Sequence, residues 1–153
     1  MIRNITLFLF LLLPFFKTLQ LQAQPKPYPV YLIGNSANQP VPEQNYRLLK
    51  QDLDQLTSPF TIVHLGDIVA EKGWPENPTE AQKLKLQQLL DLVKDKPNGK
   101  LIFVPGDRDW ANSGKDGMAA VRRLEKFISD RLPYKNAFVP GQGCPGPEVL
   151  DVS

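Results

Sequence analysis

Thr61-Ile-Val-His-Leu-Gly66-Asp67 and Leu101-Ile-Phe-Val-Pro-Gly106-Asp107-Arg108-Asp109-Trp110 are built to one plan. In each, a short run of β-favouring apolar residues reads as a buried strand. A glycine at its end then lets the backbone turn tightly and present a carboxylate. A third junction of this kind, Gly34-Asn35-Ser36, closes the apolar segment Tyr28 to Ile33. The carboxyl ends of strands are where open α/β sheets bind their ligands.

Between these junctions the apolar spacing lengthens to three and four residues. Tyr46, Leu49, Leu53 and Leu56 share one face of a helix predicted over Glu43 to Leu56, and the second strand then runs from Phe60 to Leu65. Turn residues fill Lys72 to Pro78, and Thr79 with Gln82 three positions later makes a capping box. The helix it opens is predicted to reach about Lys94, with Leu86, Leu89, Leu90 and Val93 inward, until Pro97-Asn98-Gly99 stops it before a third strand at Lys100 to Val104. A third helix, about Gly117 to Leu132, buries Val121, Leu124 and Ile128, and a Gly/Pro-rich tail leads to a short β-like ending, Glu148 to Val152. Strands alternating with helices call for a parallel sheet with right-handed crossovers, so the expected fold class is α/β.

Residues 1–23 read as a signal peptide: Arg3 supplies the positive start, Ile5 to Phe16 the apolar run, and Leu21-Gln22-Ala23 the small-residue cleavage point. That run is about a dozen residues, against the roughly 20 needed to cross a bilayer, with an uncleaved anchor as the alternative. No cysteine follows it, so a lipoprotein anchor has no support. The expectation is an exported protein, periplasmic or secreted, with no stable membrane span after cleavage and one domain over 24–153.

The leader holds two of the 18 basic residues and none of the 16 acidic ones, so the formal charge falls from +2 to zero without it. A neutral chain with no long Lys/Arg run argues against nucleic-acid binding, which depends on neutralising many phosphates. Cys144 is the single cysteine, so no disulfide can form within the chain and the fold must rest on a hydrophobic core. Oligomeric state is not legible in the sequence.

On one sheet edge, Asn35, Asp67 and the Asp107-Arg108-Asp109 turn would meet and place carboxylates and an amide in one crevice. Hard divalent cations and phosphate esters are the natural guests, because carboxylates neutralise the metal and the metal polarises a phosphoryl oxygen. A plainer reading stands beside this one. Asp67 can be an ordinary turn carboxylate, 107–109 a surface ion-pair cluster, and His64 a packed side chain. Trp74 and Trp110 read as aromatic packing against the sheet edge, or as the mouth of a site. Cys144 has no histidine near it in sequence to make it a nucleophile.

From Tyr28 to Ser153 the chain resembles the first half of a calcineurin-like metallophosphoesterase. Leu32-Ile-Gly-Asn35 resembles the first motif of that family, Leu65-Gly-Asp67 the second and Val104-Pro-Gly-Asp107-Arg108-Asp109-Trp110 the third. Gly143-Cys-Pro-Gly-Pro-Glu-Val-Leu-Asp-Val152 is similar to a segment of an exported, Bacteroidetes-type branch. The resemblance implies a partial β-α-β-α-β layer and a site for two divalent ions, manganese, iron or zinc. Asp67 stands at the position that bridges them, and Asn35 at that of a first-motif aspartate ligand. Asp107 and Arg108 stand where the third motif carries asparagine and histidine.

Asp107 can still ligate a metal. Arg108 keeps its proton at any ordinary pH, so it cannot be a general acid and contacts phosphate at most. Ala70 stands where a purple-acid-type branch has a tyrosine ligand, and His64, the one histidine, is not a ligand position of the family. The family's remaining metal histidines belong to its second half. The resemblance thus implies an exported, truncated phosphate ester hydrolase-like domain that hydrolyses little or nothing by itself. The alternative is a non-catalytic module whose Arg108, Trp74 and Trp110 contact an anionic ligand or a partner protein. A fragment that does not fold stably is the third reading.

Overall fold

The computed structural model describes residues 27–36, 43–69, 72–143 and 147–150. The leader assigned to 1–23, Ala70 and Cys144 lie outside them. Strand β1 (Val30–Ile33), helix α1 (Glu43–Gln55), β2 (Phe60–Leu65), α2 (Glu80–Leu90), β3 (Gly99–Val104) and α3 (Gly117–Ser129) follow in turn. The strands form one parallel sheet in the order β1-β2-β3, with Leu32 beside Val63 and Val63 beside Ile102. The fold is α/β.

Parallel neighbours laid down in chain order need crossovers of the same sense, and right-handed ones place their helices on one face of the sheet. The burial follows. Phe60, Ile62, Leu101 and Phe103 from one face form a single core with Leu53 of α1, Leu86 and Leu90 of α2, and Val121, Leu124 and Ile128 of α3. On the other face Val30, Leu32 and Leu65 are exposed. Two polar ties brace the helical layer: the Tyr46 hydroxyl donates to the Gln88 carbonyl at 2.6 Å, and Lys96 pairs with Asp54 at 2.6 Å.

The capping box predicted for α2 is present, with Thr79 Oγ1 accepting from Gln82 N and the Gln82 side chain accepting from Thr79 N. The helix itself ends earlier than its periodicity suggests. Beyond Leu90 the chain tightens into i to i−3 bonds, Leu92 N to Leu89 O and Val93 N to Leu90 O, which still bury both side chains. Helix α3 likewise stops at Ser129 while turn bonds carry the chain on to a buried Leu132.

The tail differs most from the expectation. Residues 148–150 form no strand, and 151–152 lie outside the described residues. The outer edge of β3 is instead covered by 134–139. The Tyr134 hydroxyl accepts from Leu101 N at 2.6 Å and donates to Leu101 O at 3.0 Å, and Phe138 makes a single parallel bridge to Phe103. A covered edge presents no unpaired ladder groups to another chain.

Candidate functional site

The three strand ends meet at the carboxyl edge of the sheet. Asn35 N donates to the Gly66 carbonyl at 3.0 Å, which ties the end of β1 to the end of β2. Gly66, at φ 84°, and Gly106 touch back to back: a Cβ on Gly66 would lie 2.6 Å from Gly106 Cα. Only residues without a Cβ let the two turns come this close. Asn35 and Asp67 both have φ 54°, a left-handed backbone that Asn and Asp tolerate better than other side-chain-bearing residues.

Arg108 spans the two. Its backbone N–H donates to Asp67 Oδ1 at 3.3 Å, its Nε lies 3.8 Å from Asp67 Oδ2, and its Nη1 reaches Asn35 Oδ1 at 3.5 Å. The Asp67 and Arg108 side chains are 29% and 28% exposed, so water reaches the pair and screens it. An ion pair of this kind contributes at most about 1 kcal/mol to folding. Asp107 is exposed at the start of the same turn, with its carbonyl accepting from Asn112 N at 3.0 Å. Thus Asn35, Asp67 and Arg108 come together as the sequence suggests, and Asp107 lies beside them in the chain.

Asp109 departs from both of its sequence readings. It is neither a surface ion-pair partner nor a carboxylate free for a metal, because it is fully buried beneath the turn. Its oxygens accept from Ile68 N at 3.0 and 3.2 Å, Val69 N at 2.9 Å and Gly106 N at 2.8 Å. Hydrogen bonds to a charged acceptor are worth roughly 1.5–3 kcal/mol each, so Asp109 clamps the β2 turn to the β3 turn. Burial pushes its carboxyl above the ordinary range, against the pull of those three amides.

A second brace lies under the β1 and β2 ends. His64, fully buried and stacked on Phe103 at 5.7 Å, shares a 2.9 Å hydrogen bond between Nε2 and Ser36 Oγ. Its Nδ1 is buried without a partner among the described residues. Burial lowers the imidazole from 6.5 to about 4, and the nearby Asp67 opposes that only in part. The ring is therefore neutral near pH 7, a packed histidine and not a ligand. Ser36, which sequence reasoning passed over, is its partner, and strand parity was the available signal, since His64 shares the inward face with Ile62.

The tryptophans separate. Trp74 is buried against Phe127 at 4.9 Å, with its carbonyl accepting from Arg123 Nε at 3.0 Å, so it is removed from any contact surface. Trp110 is half-buried against the core. After it, Ala111, Asn112 and Ser113 run consecutively at φ 52°, 53° and 58°. For L residues such a turn costs about 1–2 kcal/mol each, and it leads the chain from the site to α3.

The metal pair implied by the family resemblance does not fit these side chains. An ion ligated at the usual ~2.1 Å from Asp67 Oδ2 would compete with the permanent positive charge of Arg108, whose Nε lies 3.8 Å from that oxygen. Among the described residues no three His, Cys, Asp or Glu side chains gather as a metal would need. An open groove of about 670 Å³, lined by Leu90, Val93, Gly99, Leu132 and Tyr134, lies at the opposite, amino edge of the sheet and contains none of the strand-end residues. Among the described residues no helix is long and apolar enough to cross a membrane.

No family model, no curated protein and no solved structure matches the chain.

Proposed function

We propose that the chain is an exported domain of metallophosphoesterase type that binds an anionic ligand of the phosphate ester class at its strand-end edge and does not hydrolyse it by itself. One observation carries this reading: the Arg108 guanidinium lies across Asn35 and Asp67, the positions to which the resemblance assigns metal ligands. A guanidinium can hold phosphate oxygens through paired hydrogen bonds. It cannot protonate a leaving group near neutrality. The edge then retains a place for the ester and lacks the machinery for cleaving it.

Two assays on the full chain test this. With p-nitrophenyl phosphate and manganese, release of nitrophenol should not exceed the protein-free rate. Inorganic phosphate should bind by calorimetry, and Arg108→Ala should abolish that binding with the circular dichroism spectrum unchanged. Metal-dependent turnover that disappears in Asp67→Asn would overturn the non-hydrolytic reading, and phosphate binding that survives Arg108→Ala would overturn the proposed contact.

A further inference from the structure

The groove at the amino edge of the sheet shares no residue with the strand-end site. It runs between the turns that follow α2 and α3, and hydrogen bonds hold both turns in place. On one side Val93 N, Lys96 N and Gly99 N donate in succession to Leu90 O, Val93 O and Lys96 O. On the other, Arg131 N and Leu132 N both donate to Ile128 O, and the Tyr134 hydroxyl is tied to both backbone groups of Leu101. A groove held in this way is formed before a ligand arrives, which spares the ligand the cost of ordering it.

Its lining is amphiphilic. Leu90, Val93, Leu132 and the Tyr134 ring give it apolar surface, while three basic side chains, Lys94, Lys96 and Arg131, stand against one acidic side chain, Asp95. Lys96 is paired with Asp54 at 2.6 Å. Arg131 is positioned without a carboxylate: its guanidinium lies 3.5 Å over the Phe127 ring, and its Nη1 donates to the Phe127 carbonyl at 2.9 Å. Among the described residues neither Arg131 nor Lys94 has an ion-pair partner. We propose that this groove binds an amphiphilic anion, an aliphatic body ended by one carboxylate. The head pairs with Arg131 and Lys94, and the chain lies along Leu90, Val93, Leu132 and Tyr134. Covering the apolar lining drives binding, and the unpaired guanidinium selects a charged head. The proposal does not depend on the strand-end reading.

The test is calorimetric titration of the full chain with sodium octanoate, kept below its micelle-forming concentration, beside 1-octanol. Octanoate should bind at least about tenfold more tightly than the alcohol, which cannot make charge-assisted bonds. Lys94→Glu combined with Arg131→Gln should weaken octanoate binding at least about tenfold with the circular dichroism spectrum unchanged. Lys115→Gln, an exposed charge beyond the other end of α3, should leave it as it was. If the double variant loses its folded spectrum, Lys94→Glu alone is titrated and is expected to weaken binding in the same direction. Equimolar inorganic phosphate should not displace octanoate. No octanoate binding by the unaltered chain, equal binding of octanol, displacement by phosphate, or undiminished binding in a folded variant would each overturn the proposal.

Discussion

Asp67 and Asp109 follow two adjacent parallel strands, one residue and three residues after a glycine, and arrive in opposite physical states. Asp67 is partly open to water and faces Arg108, whereas Asp109 is sealed under the turn and filled with backbone amides. The difference teaches that a strand-end carboxylate is committed by the donors that surround it. Where three backbone amides take the oxygens, the residue holds the fold, and where the amide and guanidinium of one arginine share them with solvent, the oxygens stay open to other donors.

The largest expected effect falls on the sealed aspartate. Asp109→Ala strips the partner from the buried N–H groups of Ile68 and Val69 and from the half-buried one of Gly106, and urea unfolding should show a loss of about 3–5 kcal/mol. A loss below about 1 kcal/mol would erase the distinction between the two aspartates. The pH dependence comes next. The unfolded chain protonates His64 near 6.5 and the folded chain only near 4. Stability is therefore full above 6.5 and falls as pH drops through that window, by about 3 kcal/mol. Urea midpoints measured between pH 7 and pH 4 should fall more steeply for the unaltered chain than for His64→Leu.

Asp109 has the opposite sign: its carboxyl is raised from 3.8. As pH rises past 3.8 the unfolded chain releases its proton first, and stability declines until the buried carboxyl has ionised as well.

Two smaller effects sharpen the comparison. Gly106→Ala would place a Cβ 2.5 Å from Asp67 N and 2.6 Å from Asp67 Oδ1. The turns must then part, with an expected cost of about 1–3 kcal/mol in thermal or urea unfolding. Asp67→Asn keeps a residue that tolerates left-handed backbone and removes only the charge, so its stability change should be about 0–1 kcal/mol. A loss as large as that of Asp109→Ala would mean that Asp67 too is a structural clamp.

Local rules made much of this legible. The buried strand β2 and the Thr79 to Gln82 cap depend on neighbours within a few residues, and both read correctly. The cover on β3 was not legible, because Tyr134 finds Leu101 across 33 positions and Phe138 contributes one bridge without a strand of its own. At the site, glycine followed by a polar residue was enough to find Asn35, Asp67 and Asp107, whereas Arg108 stood out only beside them in the same turn. The role of Asp109 depends on amides at 68 and 69, some 40 residues away, which no local pattern reports.

The most direct test of the account is a crystal structure of the full chain grown in manganese chloride, with anomalous diffraction recorded for the metal. The account predicts no anomalous peak within ligating distance of Asp67 and the Arg108 guanidinium still lying between Asn35 and Asp67. A peak bound to Asp67 and Asp107, with Arg108 turned outward, would contradict it.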